Sequence, residues 1–335
     1  MKFSVAMCTY DGARFIQDQL DSIEKQTRIP DELVICDDKS SDDTRDIIKS
    51  FAIKAPFPVR LEANETNIGS TKSFEKAIKL CQGEIIALSD QDDVWHPDKL
   101  MSLESSLLSS PNAGLVFSDA EVVDEDLRPL GIRLWSFFFS SKERQLFKSG
   151  QALDLLLEKP VVTGATMAFR AEYKNLILPI PTGTQLIHDA WIALMIATVA
   201  DLAFIGEPLV MYRQHPMQQT GLFAKADSID RKDSASRQEC FENLARSYLR
   251  ETDLFGRVLK QLQSRSDVDR KKQIKTVEAK LACLNRMVAH YKARAAANAG
   301  AKRLSRTALI LKELLTFRYH LCSKGTLSAV RDLLA

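Results

Sequence analysis

The sequence predicts an α/β fold, in which a mostly parallel β-sheet flanked by helices is followed by a helical C-terminal region. Apolar runs with the length of buried strands alternate with segments of helical periodicity up to Ser118. This alternation is typical of parallel sheets with right-handed crossovers. Beyond residue 225 the chain is rich in Lys and Arg, has few glycines or prolines and shows only helical patterns.

Five strands and the helices between them make up the predicted sheet layer. Apolar runs predict strands at 3–8, 33–36, 59–62, 85–88 and 114–118, and apolar residues at helical spacing predict helices near 15–23, 44–51, 74–81 and 97–108. The strands at 3–8, 33–36 and 85–88 each end in polar residues. Because ligands bind at the carboxyl edge of such sheets, these polar residues indicate a site.

The middle of the chain is less regular. The aromatic run 135–139 is either a mobile flap, an acceptor-facing surface or ordinary core filling. Residues 161–170 predict a turn that leads into a strand. A helix is expected to begin near Ala190, strands at 202–205 and 209–212, and a polar loop over 213–221.

Charge divides the chain into two predicted domains, 1–224 and 225–335. The first carries 22 basic and 32 acidic residues, and the second carries 24 basic and 12 acidic residues. Three roles are open for the basic helices of the second domain. They are a cap on the first domain, a homodimerisation element, and an anchor for peripheral contact with an anionic membrane. Nucleic-acid binding is not expected, since no recognised motif or basic–aromatic pattern is present.

Three features bear on localisation. Residues 1–7 are too short for a signal peptide, no stretch of 18 uncharged apolar residues occurs, and the six scattered cysteines contain no CxxC pair. A protein of the cytoplasm is therefore expected, either soluble or attached to the inner face of the membrane.

The acidic motif at 89–95, which contains Asp90, Asp92 and Asp93, follows the strand at 85–88 directly. Carboxylates packed this closely repel one another unless a cation or a set of donors neutralises them. Mg²⁺ or Mn²⁺ bridging to phosphates is the simplest solution. A solvated turn that caps the next helix is the alternative.

The ordered motifs of residues 2–222 resemble the inverting nucleotide-sugar glycosyltransferases of family 2, which have the GT-A fold with its Rossmann-like sheet. The resemblance rests on the first strand and turn at 5–12, on Asp37-Asp38 with the segment 40–44, on the turn at 67–69 and on the acidic motif. Segments 89–95, 188–191 and 212–215 look most like bacterial rhamnosyltransferases of surface-polysaccharide assembly.

This resemblance implies a metal-dependent enzyme that moves one sugar, L-rhamnose from dTDP-rhamnose, onto a saccharide or lipid-linked saccharide acceptor. The Gln-Arg-Trp motif of processive synthases is absent. The loop after His215 departs from the usual Gly-Asn-Asn and continues Pro216-Met217-Gln218-Gln219. Because of this departure, a UDP-hexose or a UDP-N-acetylhexosamine remains an alternative donor. A non-catalytic scaffold that binds sugar nucleotides is the alternative from a different functional class.

The chemistry of transfer and the resemblance together suggest a role for each of ten residues. One base that takes the acceptor proton, with no second carboxylate as nucleophile, implies a single inverting displacement. A helix cap for Asp189 and a structural role for His215 are the alternative explanations. Asp189 is assigned as the general base, Asp92 and His215 as ligands of Mg²⁺ or Mn²⁺, and Arg213 as a contact of the phosphate. The residues assigned to contacts with the nucleoside are Thr9, Tyr10, Asp37, Asp38, Asn67 and Asp90.

Overall fold

The chain forms two compact units in a computed structural model. One unit spans Met1–Thr182 and Leu186–Ala224, and the other spans Gly183–Gln185 and Lys225–Ala335. The structure describes residues 1–184, 186–218, 237–264, 270–299, 303–316, 318–323 and 326–334. The predicted domain boundary at 224 and loop residues 219–221 lie outside these ranges.

The first unit is built on one sheet, which has nine strands in the part of the chain that the structure describes. The strands are β1 Phe3–Thr9, β2 Glu32–Asp37, β3 Val59–Ala63, β4 Ile85–Ser89, β5 Val94–Trp95, β6 Ala113–Val123, β7 Pro129–Arg133, β8 Met167–Arg170 and β9 Asp201–Arg213. The helices are α1 Ile16–Glu24, α2 Thr44–Ala52, α3 Ser70–Leu80, α4 Lys99–Ser109, α5 Trp135–Phe138, α6 Ser141–Lys148, α7 Ala152–Glu158, α8 Lys174–Ile177 and α9 His188–Ala197, with 3-10 turns at Gly164–Thr166 and Ala171–Tyr173.

The strand order is β3-β2-β1-β4-β8-β6-β9-β5, and β7 pairs with β6. The block β3-β2-β1-β4 is parallel throughout, whereas β8 is antiparallel to both β4 and β6. After β1 the chain builds β2 and β3 on one side, and it then returns to add β4 on the other side. Such a reversal opens a crevice at the carboxyl ends of the two strands where it occurs, β1 and β4.

The central strands are mostly apolar and almost wholly buried because helices cover both faces of the sheet. All five residues of β4 are buried, as are six of the seven residues of β1. Side chains of β1, β2 and β4 pack with Ile16, Leu20 and Ile23 of α1 in one core cluster. The three spaced apolar residues of α1 thus define the face that meets the sheet.

The predicted strands and helices are found, some with different ends, and the strand β7 and the helices α5–α8 are elements that the sequence did not predict. The two-residue strand β5 was not expected, and β6 runs beyond its predicted end at Ser118. The two strands predicted at 202–205 and 209–212 are one strand, β9, with register shifts opposite residues 118–121 of β6. Helix α9 begins at His188 instead of Ala190.

The aromatic run fills the core in part, which is one of its expected roles. Trp135 and Phe139 are buried and pack edge-to-face against each other and against Phe204. Phe137 and Phe138 are 47% and 39% exposed. Half of the run therefore fills the core and half faces solvent.

The second unit is helical in its described residues: α10 Arg237–Gln263, α11 Lys271–Asn298, α12 Arg303–Leu315, α13 Arg318–Cys322 and α14 Thr326–Leu334. In the sequence, Val277, Leu281, Leu284 and Val288 form an apolar stripe, and Val277, Leu284 and Val288 are buried on α11. No described helix is both long and apolar enough to cross a bilayer.

A second apolar stripe in the sequence consists of Leu304, Ala308, Leu311, Leu315 and Tyr319, and among its described side chains only Tyr319 is buried. Leu311 and Leu315 are 52% and 80% exposed, and the neighbouring Ile310 and Glu313 are buried instead. Glu313 is buried because it accepts a hydrogen bond from Arg318 and contacts His290 Nδ1 at 2.9 Å. The side chain of Leu304, also assigned to this stripe, lies outside the described side chains.

Candidate active site

A cavity of about 620 Å³ opens in the first unit at the carboxyl edge of β1, β2 and β4. Register brings the strand ends together, since Thr9 pairs with Asp37 across β1 and β2, and Met7 pairs with Ser89 across β1 and β4. Residues that follow these strands therefore meet at one place. Seven of the ten predicted site residues line the cavity: Tyr10, Asp38, Asn67, Asp90, Asp92, Asp189 and His215.

Thr9 and Asp37 support the site from below and do not line it. Both are buried, and Thr9 Oγ1 donates to Asp37 Oδ2 at 2.9 Å. Asp37 also accepts from the Ser40 backbone N–H at 3.0 Å. Direct contact with a nucleoside, predicted for both, does not agree with this geometry, because their polar atoms face each other and the 38–40 turn.

Asp38 organises the turn at 67–69, which forms one wall of the cavity. Its carboxylate accepts from the backbone N–H groups of Ile68 and Gly69, both at 2.8 Å. Gly69 has φ +85°, a conformation that glycine adopts without steric cost. Asn67 is exposed on this wall. The sequence motifs at 37–38 and 67–69 are thus two halves of one structure.

Gln91, in the middle of the acidic motif, holds the loop after β1. Its Oε1 accepts from Tyr10 N at 2.8 Å, and its Nε2 donates to Tyr10 O at 3.0 Å. A Cβ atom on Gly12 would come within 2.2 Å of Gln91 Oε1. Glycine at position 12 therefore leaves space for the Gln91 side chain.

The three acids of the motif have different surroundings. Asp92 Oδ2 lies 2.9 Å from His215 Nε2, and both residues line the cavity. Asp93 is buried; its Oδ1 accepts from Arg213 N at 3.0 Å, while its Oδ2 has no partner among the described residues. Asp90 is half-buried on the cavity wall.

Crowding of these carboxylates raises two of their pKa values. Burial, followed by the negative charges of Asp92 and Asp189, raises the pKa of Asp90 to about 7. Burial and the charges of Asp92 and Asp90 raise the pKa of Asp93 well above its ordinary value. The cavity therefore has a negative potential that favours a bound cation.

The pair of Asp92 and His215 has suitable chemistry for such a cation. Carboxylate oxygens and imidazole nitrogens both bind Mn²⁺, and Asp92 Oδ2 and His215 Nε2 lie together at the cavity, 2.9 Å apart at hydrogen-bond distance. Among the described residues, no three His, Cys, Asp or Glu side chains converge to hold an ion on their own. Phosphate oxygens and water would have to complete the coordination, as is usual for Mg²⁺ with nucleotides.

Arg213 is buried, with 2% of its surface exposed, and it does not line the cavity. Its Nε donates to the Asp92 backbone oxygen at 2.7 Å, and one terminal nitrogen donates to Asp18 Oδ2 at 2.8 Å. The other terminal nitrogen donates to the Glu125 backbone oxygen. This guanidinium is committed to the protein, so the predicted phosphate contact is not supported by its position.

Asp189 lies in the first turn of α9, opposite the 3-10 turn at Gly164–Thr166. Its Oδ2 accepts from Gly164 N at 3.0 Å, and its Oδ1 accepts from Ala190 N at 2.7 Å. The N-cap position is Ile187, which makes no side-chain cap. Asp189 is thus half-buried on the cavity wall, with its carboxylate oriented by two backbone donors.

His188 forms part of the surroundings of Asp189. Its ring stacks on Phe74 with centroids 4.2 Å apart. Burial lowers the pKa of His188, and the charge of Asp189 opposes this only in part. A neutral imidazole therefore lies next to the carboxylate.

Sequence reasoning missed Gln91 and Gly164 as residues that line the cavity. Gln91 lies inside the acidic motif, which was the available signal, whereas Gly164 has no local signature. A larger cavity of about 760 Å³ is lined by residues of α1, β5 and β9, and none of the predicted site residues lines it.

Comparison with known proteins identifies related sequences. A family model described as Glycosyl transferase family 2 matches residues 4–175. An uncharacterized glycosyltransferase of Nostoc sp. is 28% identical over 222 residues, which are 64% of this chain and 65% of that protein. The chain thus spans less than two thirds of that relative.

Two relatives carry names that state an activity. The dTDP-rhamnosyl transferase RfbG of Shigella flexneri is 26% identical over 230 residues, 64% of this chain and 73% of that protein. The UDP-Glc:alpha-D-GlcNAc-diphosphoundecaprenol beta-1,3-glucosyltransferase WfgD of Escherichia coli is 30% identical over 123 residues, 37% of this chain and 47% of that protein.

Solved structures share the fold. TarS 1-349 of S. aureus in complex with UDP-GlcNAc has a TM-score of 0.55 at 17% identity, covering 96% of this chain and 88% of that chain. The mannosyltransferase PcManGT of Pyrobaculum calidifontis, in complex with GDP-Man and Mn²⁺, has a TM-score of 0.51 at 21% identity, covering 99% and 87%. The predicted GT-A fold is confirmed by these neighbours.

Proposed function

Because the chain belongs to glycosyltransferase family 2, we propose that it transfers L-rhamnose from dTDP-rhamnose to a saccharide or lipid-linked saccharide during cell-surface polysaccharide synthesis. The observation that carries the proposal is one cavity lined by Asp38, Asp90, Asp92, Asp189 and His215. The name of the Shigella relative supports the donor, and that of the Escherichia coli relative supports a lipid-linked acceptor. Residues 1–224 would be the transferase domain.

Asp92 and His215 would hold Mg²⁺ or Mn²⁺ together with the diphosphate of the donor. Such an ion acts as a Lewis acid that neutralises the charge developing on the leaving diphosphate. The Mn²⁺ named in the PcManGT complex supports a divalent ion. Arg213 acts indirectly in this proposal, since its hydrogen bond to the Asp92 backbone oxygen fixes the position of the ligand.

The nucleoside would lie against Tyr10, Asp38 and Asn67, with Asp90 near the ribose. Tyr10 is 49% exposed at the cavity, so its ring is available for contact with a base. Asp38 Oδ2 accepts one backbone hydrogen bond, from Gly69, and retains a lone pair for a pyrimidine N–H. Thr9 and Asp37 would support this wall from inside.

Asp189 would act as the general base. Its two backbone donors leave lone pairs that face the cavity, from which it can take the proton of the acceptor hydroxyl as that oxygen attacks the anomeric carbon. The bond from that carbon to the diphosphate breaks in the same displacement. Attack from the side opposite the leaving group inverts the anomeric configuration.

The donor is tested by titration and turnover with dTDP-rhamnose, UDP-glucose and UDP-N-acetylglucosamine in Mn²⁺, with and without EDTA. Turnover is followed as release of the nucleoside diphosphate, with a synthetic N-acetylglucosamine diphospholipid as the trial acceptor. The proposal expects dTDP-rhamnose to be preferred and EDTA to abolish release. Tight binding of a UDP-sugar without binding of dTDP-rhamnose would identify a UDP-sugar as the donor instead. Nucleotide binding without transfer or hydrolysis of any donor would favour a non-catalytic binding scaffold.

The basic second unit would bring the enzyme to an anionic membrane surface where a lipid-linked acceptor resides. Its helices α12, α13 and α14 expose apolar side chains that suit insertion between lipid headgroups, namely Leu311, Leu315, Leu321, Leu327 and Val330. Cosedimentation with phosphatidylglycerol vesicles should fall in Leu315→Glu and Leu327→Glu. The control Ile53→Glu changes a residue of the first unit that is 85% exposed. Unchanged cosedimentation together with loss of a dimer in light scattering would assign the leucines to a homodimer instead.

A further inference from the structure

Lys99, the first residue of α4, is completely buried in the first unit, with 0% of its surface exposed. Its Nζ donates to the backbone oxygen of Ala165 at 2.6 Å and lies 3.5 Å from the centroid of the Trp95 ring. Lysine is rarely buried without partners, because an ammonium group loses its hydration. The partners of this one therefore indicate what it stabilises.

The Ala165 oxygen belongs to the 3-10 turn that also holds the proposed base. The preceding residue, Gly164, donates its N–H to Asp189 Oδ2 at 3.0 Å. A Cβ atom on Gly164 would lie 3.3 Å from His188 Nε2 and 3.4 Å from Asp189 Cβ, so the turn and the start of α9 are in close contact. A shift of the turn would therefore move the Asp189 carboxylate.

Lys99 also contacts the acidic motif, because the Trp95 ring that lies 3.5 Å from its Nζ belongs to the last residue of that motif. Burial lowers the pKa of Lys99 well below its ordinary value, and the negative charges of Asp93 and Asp90 oppose this effect. Asp93 in turn accepts from the backbone of Arg213, whose guanidinium donates to the Asp92 backbone oxygen. One ammonium group thus interacts with the turn that carries the proposed metal ligand and with the turn that orients the base.

We propose that Lys99 is a positioning residue that sets the distance between the diphosphate-binding acidic turn and Asp189 by anchoring the Ala165 carbonyl. The inference rests on the proposed function, in which Asp189 is the base. Lys99 acts on the substrate only through these two turns. Because a misplacement of about 1 Å can reduce a rate by about 100-fold, loss of the anchor should lower kcat strongly. It should leave nucleotide binding nearly unchanged, because Tyr10, Asp38 and Asn67 make no hydrogen bond with Lys99.

The test is a double-mutant cycle of Lys99→Met and Asp189→Asn, with Lys54→Met, at an exposed lysine of the same unit, as the matched control. Release of nucleoside diphosphate from the preferred donor gives kcat and KM, and titration with the free nucleoside diphosphate in Mn²⁺ gives Kd. Lys99→Met is expected to lower kcat by about 100-fold, with less than about a twofold change in Kd and little further loss in the Asp189→Asn background.

Three outcomes would overturn the inference: a loss in Kd as large as that in kcat, a full additional loss in the Asp189→Asn background, or wild-type kcat in Lys99→Met. If Lys99→Met does not fold, the same cycle is run with Lys99→Arg, whose longer planar cation displaces the carbonyl, and the same criteria apply. Full turnover in Asp189→Asn alone would instead refute the base assignment. The two failures are therefore distinguishable.

Discussion

The side-chain amide of Gln91 makes a two-point contact with the backbone of Tyr10, accepting from its N–H at 2.8 Å and donating to its carbonyl at 3.0 Å. This contact joins the acidic motif to the loop that carries the proposed base-stacking residue. Gln91→Ala is expected to weaken nucleotide binding by up to about 30-fold, since two hydrogen bonds of about 1 kcal/mol each hold the loop in place. Isothermal titration measures the change. Gln17→Ala, at an exposed glutamine of α1, should bind as tightly as the wild type.

Gly12→Ala should reproduce the defect of Gln91→Ala, because a Cβ atom at position 12 would occupy the space of the Gln91 side chain, 2.2 Å from its Oε1. The glutamine must then swing away and release Tyr10. In a Gln91→Ala background the added methyl group meets no such obstacle, so Gly12→Ala should cost little more affinity there. Equal losses in both backgrounds would show that the glycine matters for another reason.

The pair of Asp92 and His215 predicts how activity depends on metal. His215→Ala should raise the Mn²⁺ concentration for half-maximal turnover by about 10-fold to 100-fold, and Asp92→Asn should reduce turnover by at least about 100-fold, since the ion supplies several kcal/mol of charge stabilisation. A metal titration of donor turnover in EDTA-treated protein measures both. His96→Ala, at an exposed histidine, is the control. A wild-type metal requirement in His215→Ala would assign that histidine a structural role.

The pKa of Asp90 predicts a pH dependence. The pKa of Asp90 is about 7 in the folded protein and 3.8 ordinarily, so the folded chain holds the Asp90 proton more strongly than the unfolded chain does. The contribution of Asp90 therefore lowers the free energy of unfolding as pH rises from about 4 to about 7. A cation bound nearby favours the charged form of Asp90, so cation binding is coupled to loss of that proton below about pH 7. Affinity for Mn²⁺ with nucleotide should therefore rise, by at most about tenfold per pH unit, up to about pH 7 and level off above it. Titration from pH 5.5 to 8 tests this, and Asp90→Asn should flatten the curve.

Replacement of Arg213 should lower stability and leave the affinity for nucleotide in the absence of metal nearly unchanged. Arg213→Met removes donors to Asp18 and to the backbone of Asp92 and Glu125, and breaking such a buried set costs about 3 kcal/mol. Chemical denaturation gives the change in the free energy of unfolding. Arg60→Met, at an arginine that is 49% exposed, should cost less than about 1 kcal/mol. A large loss of nucleotide affinity at wild-type stability would instead support the contact between Arg213 and phosphate that the sequence predicts.

The tertiary structure alone decided which polar residues touch the cavity and which support it. Asp37 and Asp38 are adjacent and chemically identical, yet Asp37 faces Thr9 and Ser40 while Asp38 faces the turn at 67–69. Arg213 could not be assigned from local sequence, because three of its partners are more than 80 residues away. Lys99 and Gly164 were missed for the same reason, since their roles depend on contacts between distant segments.

The amino-acid sequence by itself determined the parallel sheet, the acidic motif at its carboxyl edge and the family of the chain. Apolar runs and helical spacing are local properties, and strands covered on both faces must be apolar throughout, so β1, β2 and β4 were predictable. The site follows from them because parallel strands end at one edge. The direction of each side chain depends on long-range packing and hydrogen bonding, which only the folded chain determines.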